Sequence, residues 1–187
     1  MEKWLLPSIA IFGACTHVPP KPTSLSIADC QYLSKESQDV VDVTACAEVD
    51  AKDQITFHSA FLQQLTRSPS HGPHCVQVKR GSSWTPYYVL ANGQNRPTLS
   101  LDNGCDDFAE GLARTPVAGR IGFMNESLTI VVEPKYEWAF PFDQGKARVC
   151  NQISWVQDGE SKSMASGSCG SINKTGELNS PLQAIKK

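Results

Sequence analysis

A seven-residue phrase occurs twice in this chain. Phe108-Ala109-Glu110-Gly111-Leu112-Ala113-Arg114 and Phe142-Asp143-Gln144-Gly145-Lys146-Ala147-Arg148 share Phe, Gly, Ala and Arg at an offset of 34 residues. A looser copy lies at Gly72-Pro73-His74-Cys75-Val76. A second phrase recurs downstream of each: Tyr87–Gly93, Gly122–Leu128 and Gly170–Gly176. Self-similarity at such a period marks one supersecondary unit whose apolar face is completed by its neighbours. The unit reads as a β-hairpin. Short β-type runs such as Val76-Gln77-Val78, Tyr87-Tyr88-Val89, Ile121-Gly122-Phe123, Leu128–Val132 and Ala147-Arg148-Val149 alternate with turn signals Asn92-Gly93, Asn103-Gly104 and Thr175-Gly176. The Gly of each Phe-x-x-Gly is predicted to take a positive φ at the strand entry.

The front of the chain has a different texture. Leu25, Ala28, Tyr32 and Leu33 recur at 3/4 spacing, as do Val40, Val43 and Ala47, and then Phe57, Phe61, Leu62 and Leu65. That spacing predicts helices over residues 25–67, ended by Pro69, Gly72 and Pro73. The expected fold class is α+β. An N-terminal helical segment is followed by tandem antiparallel hairpins over 68–178 and a C-terminal tail over 179–187.

The repeated phrases resemble the bacterial WG-repeat (KWG-repeat) family. Its unit runs from an aromatic residue through Glu-Gly-Leu-Ala, a short strand and Trp-Gly-Tyr/Phe-Ile-Asp to Ile-Pro-x-x-Tyr-Asp. Here that course is Phe108–Arg114, then Arg120–Asn125, then Ile130-Val131-Val132-Glu133-Pro134-Lys135-Tyr136-Glu137. Leu101–Phe108 and Trp138–Gly145 look like the exported, lipoprotein-type branch of the family. The naming tryptophan is absent, with Ile121 and Cys169 in its place. The resemblance spans residues 71–178. It implies tandem hairpins and protein or surface interaction, and it supplies no catalytic residues.

Residues 4–14 are apolar or small and end in Gly13-Ala14-Cys15. Eleven residues are too few to span a bilayer as a helix, which takes about 20. They suit the apolar region of a secretory signal, and the run into Cys15 resembles a lipobox. Residues 1–14 are therefore expected to be a lipoprotein signal peptide, and Cys15 the lipidated residue. Residues 15–24 would be a Pro-rich tether. The membrane, reached through this lipid, and an unknown protein or envelope component are the expected partners. Thr16 after the cysteine points to the outer membrane, facing the periplasm.

Seven cysteines in 187 residues suit an oxidising compartment. Setting Cys15 aside leaves six for disulfides. Cys150 ends one strand and Cys169 opens the next. The connection between them is 14 residues longer than in the preceding copy, so residues 151–168 read as a mobile insertion with a bridge across its base. Cys30–Cys46 and Cys75–Cys105 would then remain, although spacing alone cannot fix connectivity.

Charge narrows the function classes. Seventeen Lys+Arg against 19 Asp+Glu exclude a strongly basic nucleic-acid binder, so no nucleic-acid partner is expected. No P-loop, dinucleotide glycine pattern, nucleophile elbow or His-Glu-x-x-His motif occurs, and neither cofactor nor metal is expected. Two spots carry rival chemistry. Asp102-Asn103-Gly104-Cys105-Asp106-Asp107 gathers carboxylates suited to a cation or to acid–base work, and equally to a turn. His71-x-x-His74-Cys75, with His58 as a distant fourth ligand, has partial metal-site spacing. Either would make an exported hydrolase or a metal-binding protein. The favoured reading is a non-catalytic surface in which Tyr136 and Trp138 are partly exposed, beside Asp102, Asp106 and Asp107.

Overall fold

The computed structural model describes residues 25–67, 72–101, 104–159 and 161–186. Residues 25–67 depart from the helical expectation. They form β1 (Ser26–Leu33), β2 (Val40–Val49), β3 (Ile55–Phe57) and one seven-residue helix, α1 (Ser59–Leu65). The α+β class is therefore replaced by a nearly all-β fold.

A β-bulge explains the misreading. The β1–β2 register shifts between Ala28 and Cys30, Ala45 takes a φ of 52°, and its N–H donates to the Asp29 carboxylate at 3.0 Å. The extra residue puts Cys46 and Ala47 both in the core. Val43, Cys46, Ala47 and Val49 thereby lose the two-residue alternation of a strand and imitate helical spacing. The β-branched run Val40-Val41-Asp42-Val43 favours the strand. Leu25 and Leu33, counted in the supposed apolar stripe, are exposed. Only the third expected helix persists. Its Phe61 and Leu65 are buried, with Phe61 packed at 5.5 Å on Phe57 and 6.0 Å on Tyr32.

Three similar meanders follow. β4 (His74–Arg80), β5 (Ser83–Val89) and β6 (Asn95–Pro97) join the first three strands in one sheet, ordered β3-β2-β1-β4-β5-β6. Two short strands, β7 (Ser100–Leu101) and β8 (Gly104–Cys105), lead into β9 (Leu112–Val117), β10 (Arg120–Asn125) and β11 (Ile130–Tyr136). The last sheet contains β12 (Trp138–Ala139), β13 (Ala147–Asp158), β14 (Ser161–Ile172) and β15 (Leu178–Lys186). Every one of these pairings is antiparallel. Residues 151–158 and 161–168 belong to paired strands rather than to a mobile loop, and β15 occupies most of the stretch read as a tail.

The repeated phrase has a structural meaning. Glu110-Gly111 and Gln144-Gly145 each take two successive positive φ values, 53° and 84° and then 49° and 74°. This is the left-handed turn that matches strand twist in a two-residue hairpin. Each preceding Phe packs on an aromatic of the meander before it. Phe108 meets Tyr88 and Phe142 meets Phe123, both with ring centroids 4.7 Å apart.

The first and last meanders differ from the middle one. β1–β3 and α1 cover the first meander. In the last, the position of the facing pair Phe123–Val132 is taken by Ser171–Ser180, whose hydroxyls lie 3.0 Å apart. Lys146 likewise replaces Leu112. A polar outer face of this kind ends a repeat array.

Three disulfides join Cys30 to Cys46, Cys75 to Cys105 and Cys150 to Cys169, with Cα separations of 5.8, 5.8 and 4.1 Å. Cys150 and Cys169 are directly opposed in the β13–β14 register. Replacing both with alanine is expected to destabilise the fold by about 3 kcal/mol through the freed loop entropy of the unfolded chain. Urea unfolding of the oxidised wild type and the double variant measures this. A midpoint unchanged by the substitution contradicts it.

Candidate interaction surface

The carboxylate cluster falls apart on inspection. Asp102 lies outside the described residues, as do His71 and Cys15. Asp107 is exposed, whereas Asp106 is 1% exposed and Arg114, on β9, is 4% exposed. The Arg114 backbone N–H and Nε each donate to Asp106 Oδ2 at 2.9 Å, and Nη2 donates to Oδ1 at 2.5 Å. Nη1 donates to the Ala139 carbonyl at 2.9 Å. The Arg114 guanidinium also lies 6.0 Å from the centre of the Trp138 ring. A buried carboxylate satisfied this fully is a structural tie between two repeats. Asp106 is therefore not part of an exposed surface.

Tyr136 needs the same correction. It faces Ile121 in the β10–β11 register and is buried in the core shared by the second and third meanders. Tyr88 completes the junction from the first meander. Its hydroxyl donates to the Asp106 carbonyl at 2.7 Å. Burial, and then the Asp107 and Asp106 carboxylates, push its pKa up to about 12.

The next repeat keeps the geometry and changes the chemistry. At the same 34-residue offset, Phe140 stands for Asp106 and Arg148 for Arg114. The Arg148 guanidinium lies 5.4 Å from the Phe140 ring centre, so an ion pair has become a cation–π contact. Phe140 is partly exposed.

Phe140 begins a row of aromatics. Trp138 meets Phe140 edge to face at 6.5 Å and Trp155 edge to face at 5.7 Å. Trp138 is half-buried, while Trp155 and the neighbouring Val156 are each 47% exposed. Of the expected surface, Trp138 and Asp107 are accessible. Trp155 escaped sequence reasoning because its segment looked like a polar insertion. The apolar Ile153, Trp155 and Val156 were the available signal.

Glu137 sets the row in place. Its carboxylate accepts the Ile153 N–H at 2.9 Å and an Arg120 Nη1 bond at 3.1 Å, holding a bulge at Gln152, whose φ is 56°. Chiefly the Ile153 N–H holds the Glu137 carboxyl below its ordinary pKa of 4.5. Glu110 is lowered likewise, first by the Lys174 ammonium and then by the Gly145 N–H. Both folded-state values are depressed, so this stabilisation is full above about pH 4.5 and is lost as pH falls through the lower folded values. Thermal unfolding of a Glu110→Gln/Glu137→Gln variant should show a shallower decline between about pH 5 and 3 than the wild type. Identical slopes contradict this.

A cleft of about 650 Å³ lies elsewhere, at the end of the first sheet. Tyr32, Leu33, Val40 and Tyr88 supply apolar lining, with Lys35, His74 and Asp107 among its polar groups. Burial, and then the charge of Lys35, lower the His74 pKa, which keeps its imidazole neutral at pH 7. The cleft thus draws lining residues from both rival sites. His58 instead sits 3.7 Å from Glu48. Among the described residues, no three His, Cys, Asp or Glu side chains converge as a metal site.

Successive antiparallel meanders tied side by side define a tandem β-hairpin repeat architecture. The model of the WG containing repeat matches residues 121–152, from β10 of the second meander into β13 of the third. That stretch of the chain is similar to the WG containing repeat. No curated protein and no solved structure matches it.

Proposed function

We propose that the chain is a lipid-anchored, non-catalytic protein of the bacterial envelope whose repeats present a surface to a protein partner. The observation that carries this reading is the exposed Phe140–Trp138–Trp155 row on a disulfide-braced array. Exposed aromatics held on rigid strands are suited to binding. The commitment of Asp106 to Arg114 removes the central carboxylate of the Asp102–Asp107 turn from catalytic duty. The apolar run ending in Gly13-Ala14-Cys15 supports the anchor, and the three disulfides suit an exported domain.

Two measurements test the proposal. Labelled palmitate is expected to enter the full chain expressed in bacteria and to be lost in Cys15→Ser, which should shift to soluble fractions. Incorporation unaffected by Cys15→Ser overturns the anchor. A photoreactive group at Phe140 in intact cells is expected to give a discrete protein adduct that the same group at Lys52, exposed in the turn between β2 and β3, does not. Equal labelling at both positions, or none at Phe140, overturns the surface.

A further inference from the structure

The long third hairpin outruns both of its neighbours. β12 pairs with β13 only at Trp138–Cys150 and Ala139–Val149. β15 pairs with β14 only from Ser166 onward. Beyond those points, Ser154–Asp158 and the strand opposite it pair only with each other among the described residues. A ribbon of two strands is marginally stable by itself in water. Its open edges present main-chain donors and acceptors that are templates for another strand.

The β13 edge carries a bulge at Gln152 and ends at the charged Asp158, but between them it lacks two usual guards against such pairing. Asn151-Gln152-Ile153-Ser154-Trp155-Val156-Gln157 contains no charged residue and no proline, the two commonest protections of an exposed edge. Part of the line is already used. β12 occupies its first two positions, and Glu137 takes the Ile153 N–H at the bulge. From Ser154 the edge has no partner strand among the described residues and continues the line that β12 begins. Trp155 and Val156 are among its exposed side chains, and Trp138 backs Trp155.

We infer that the outer edge of β13, from Ser154 to Asp158, is a strand-addition site for an extended, uncharged peptide segment of a partner protein. The segment lies antiparallel to β13, prolonging the line of β12, and main-chain hydrogen bonds hold it. Alternate side chains fall on the two faces of the ribbon. One set packs beside Trp155 and Trp138, and the other beside Val156. Ser154 to Gln157 offer no charge to pair with an acidic or basic side chain, which selects a neutral, β-branched segment. This inference rests on the interaction reading above and names its partner chemistry.

The test uses the full chain in detergent micelles and a capped Thr-Val-Thr-Val-Thr-Val-Thr peptide, followed by tryptophan fluorescence and calorimetry. The peptide is expected to bind. N-methylation of alternate peptide bonds, which leaves the side chains and removes the donors, should weaken binding at least tenfold. Val156→Lys should do the same with an unchanged melting temperature, and Trp155→Thr is a second variant should the first unfold. The inference is overturned by no binding, by equal binding of the N-methylated peptide, or by indifference to both substitutions. It is also overturned by edge-to-edge dimers of the chain alone that Val156→Lys dissolves, because the occupant is then a second copy. Failure of the peptide with the Phe140 adduct retained removes this site and leaves the interaction reading standing.

Discussion

Gly122→Ala is expected to destabilise the protein by about 3 kcal/mol, near the upper end of the usual range for forcing atoms into a packed site. A Cβ at Gly122 would land against the Val132 carbonyl oxygen, 2.7 Å from the Pro134 nitrogen and 2.9 Å from the Glu133 carbonyl carbon. These are backbone atoms of β11, so no side-chain rotation relieves the contact. The β10–β11 register is irregular at this point, between Ile121 and Phe123. Gly170 occupies the same place in the third meander. Its Cβ would lie 2.6 Å from the Ser180 carbonyl oxygen, where the β14–β15 register shifts between Cys169 and Ser171. The glycine at this place in the second and third meanders thus lets the third strand cross close over the second. Urea unfolding of Gly122→Ala and Gly170→Ala should show lowered midpoints for both. Gly167→Ala, with its nearest contact at 3.4 Å, should stay close to wild type. Equal effects at all three positions contradict the account.

Arg114→Met carries the second large effect, about 3–5 kcal/mol, the range for removing one partner of a buried ion pair. The substitution leaves the Asp106 carboxylate buried with the Arg114 backbone N–H as its remaining donor and takes the Nη1 donor from the Ala139 carbonyl. Asp106→Leu should cost a comparable amount by stranding the guanidinium. The double variant Asp106→Leu/Arg114→Met should be less unstable than the sum of the two single changes, because it leaves no charge unpaired. Strict additivity in a urea-denaturation cycle would argue against direct coupling. The third meander already demonstrates the tolerance, since Phe140 fills the place of Asp106 there and Arg148 retains a partner.

What was legible in the sequence was local. A glycine that must take positive φ, an aromatic three residues before it and a glycine beneath a crossing strand are each specified by a few neighbouring residues. Recurrence made them visible against the background. Hence the 34-residue period found the hairpins, and the lengthened connection pointed to the Cys150–Cys169 bridge. The helical reading of residues 25–49 failed because a strand bulge is a non-local event. The hydrogen bond from the Ala45 N–H to Asp29 forms only when β1 and β2 pair across a turn, and it shifts the apolar phase into a helical pattern.

By itself, the sequence determined the repeat unit, its turn chemistry and the polar substitutions at Lys146, Ser171 and Ser180. Each is written in backbone conformation or in side-chain polarity at one position. Tertiary structure alone decided which charges are buried. Asp106 and Asp107 are adjacent and chemically identical, yet one is buried and locked to Arg114 while the other faces water. It also placed Trp155 beside Trp138 rather than in a polar loop. Burial and pairing depend on what a distant segment places above a residue, and no local pattern encodes that.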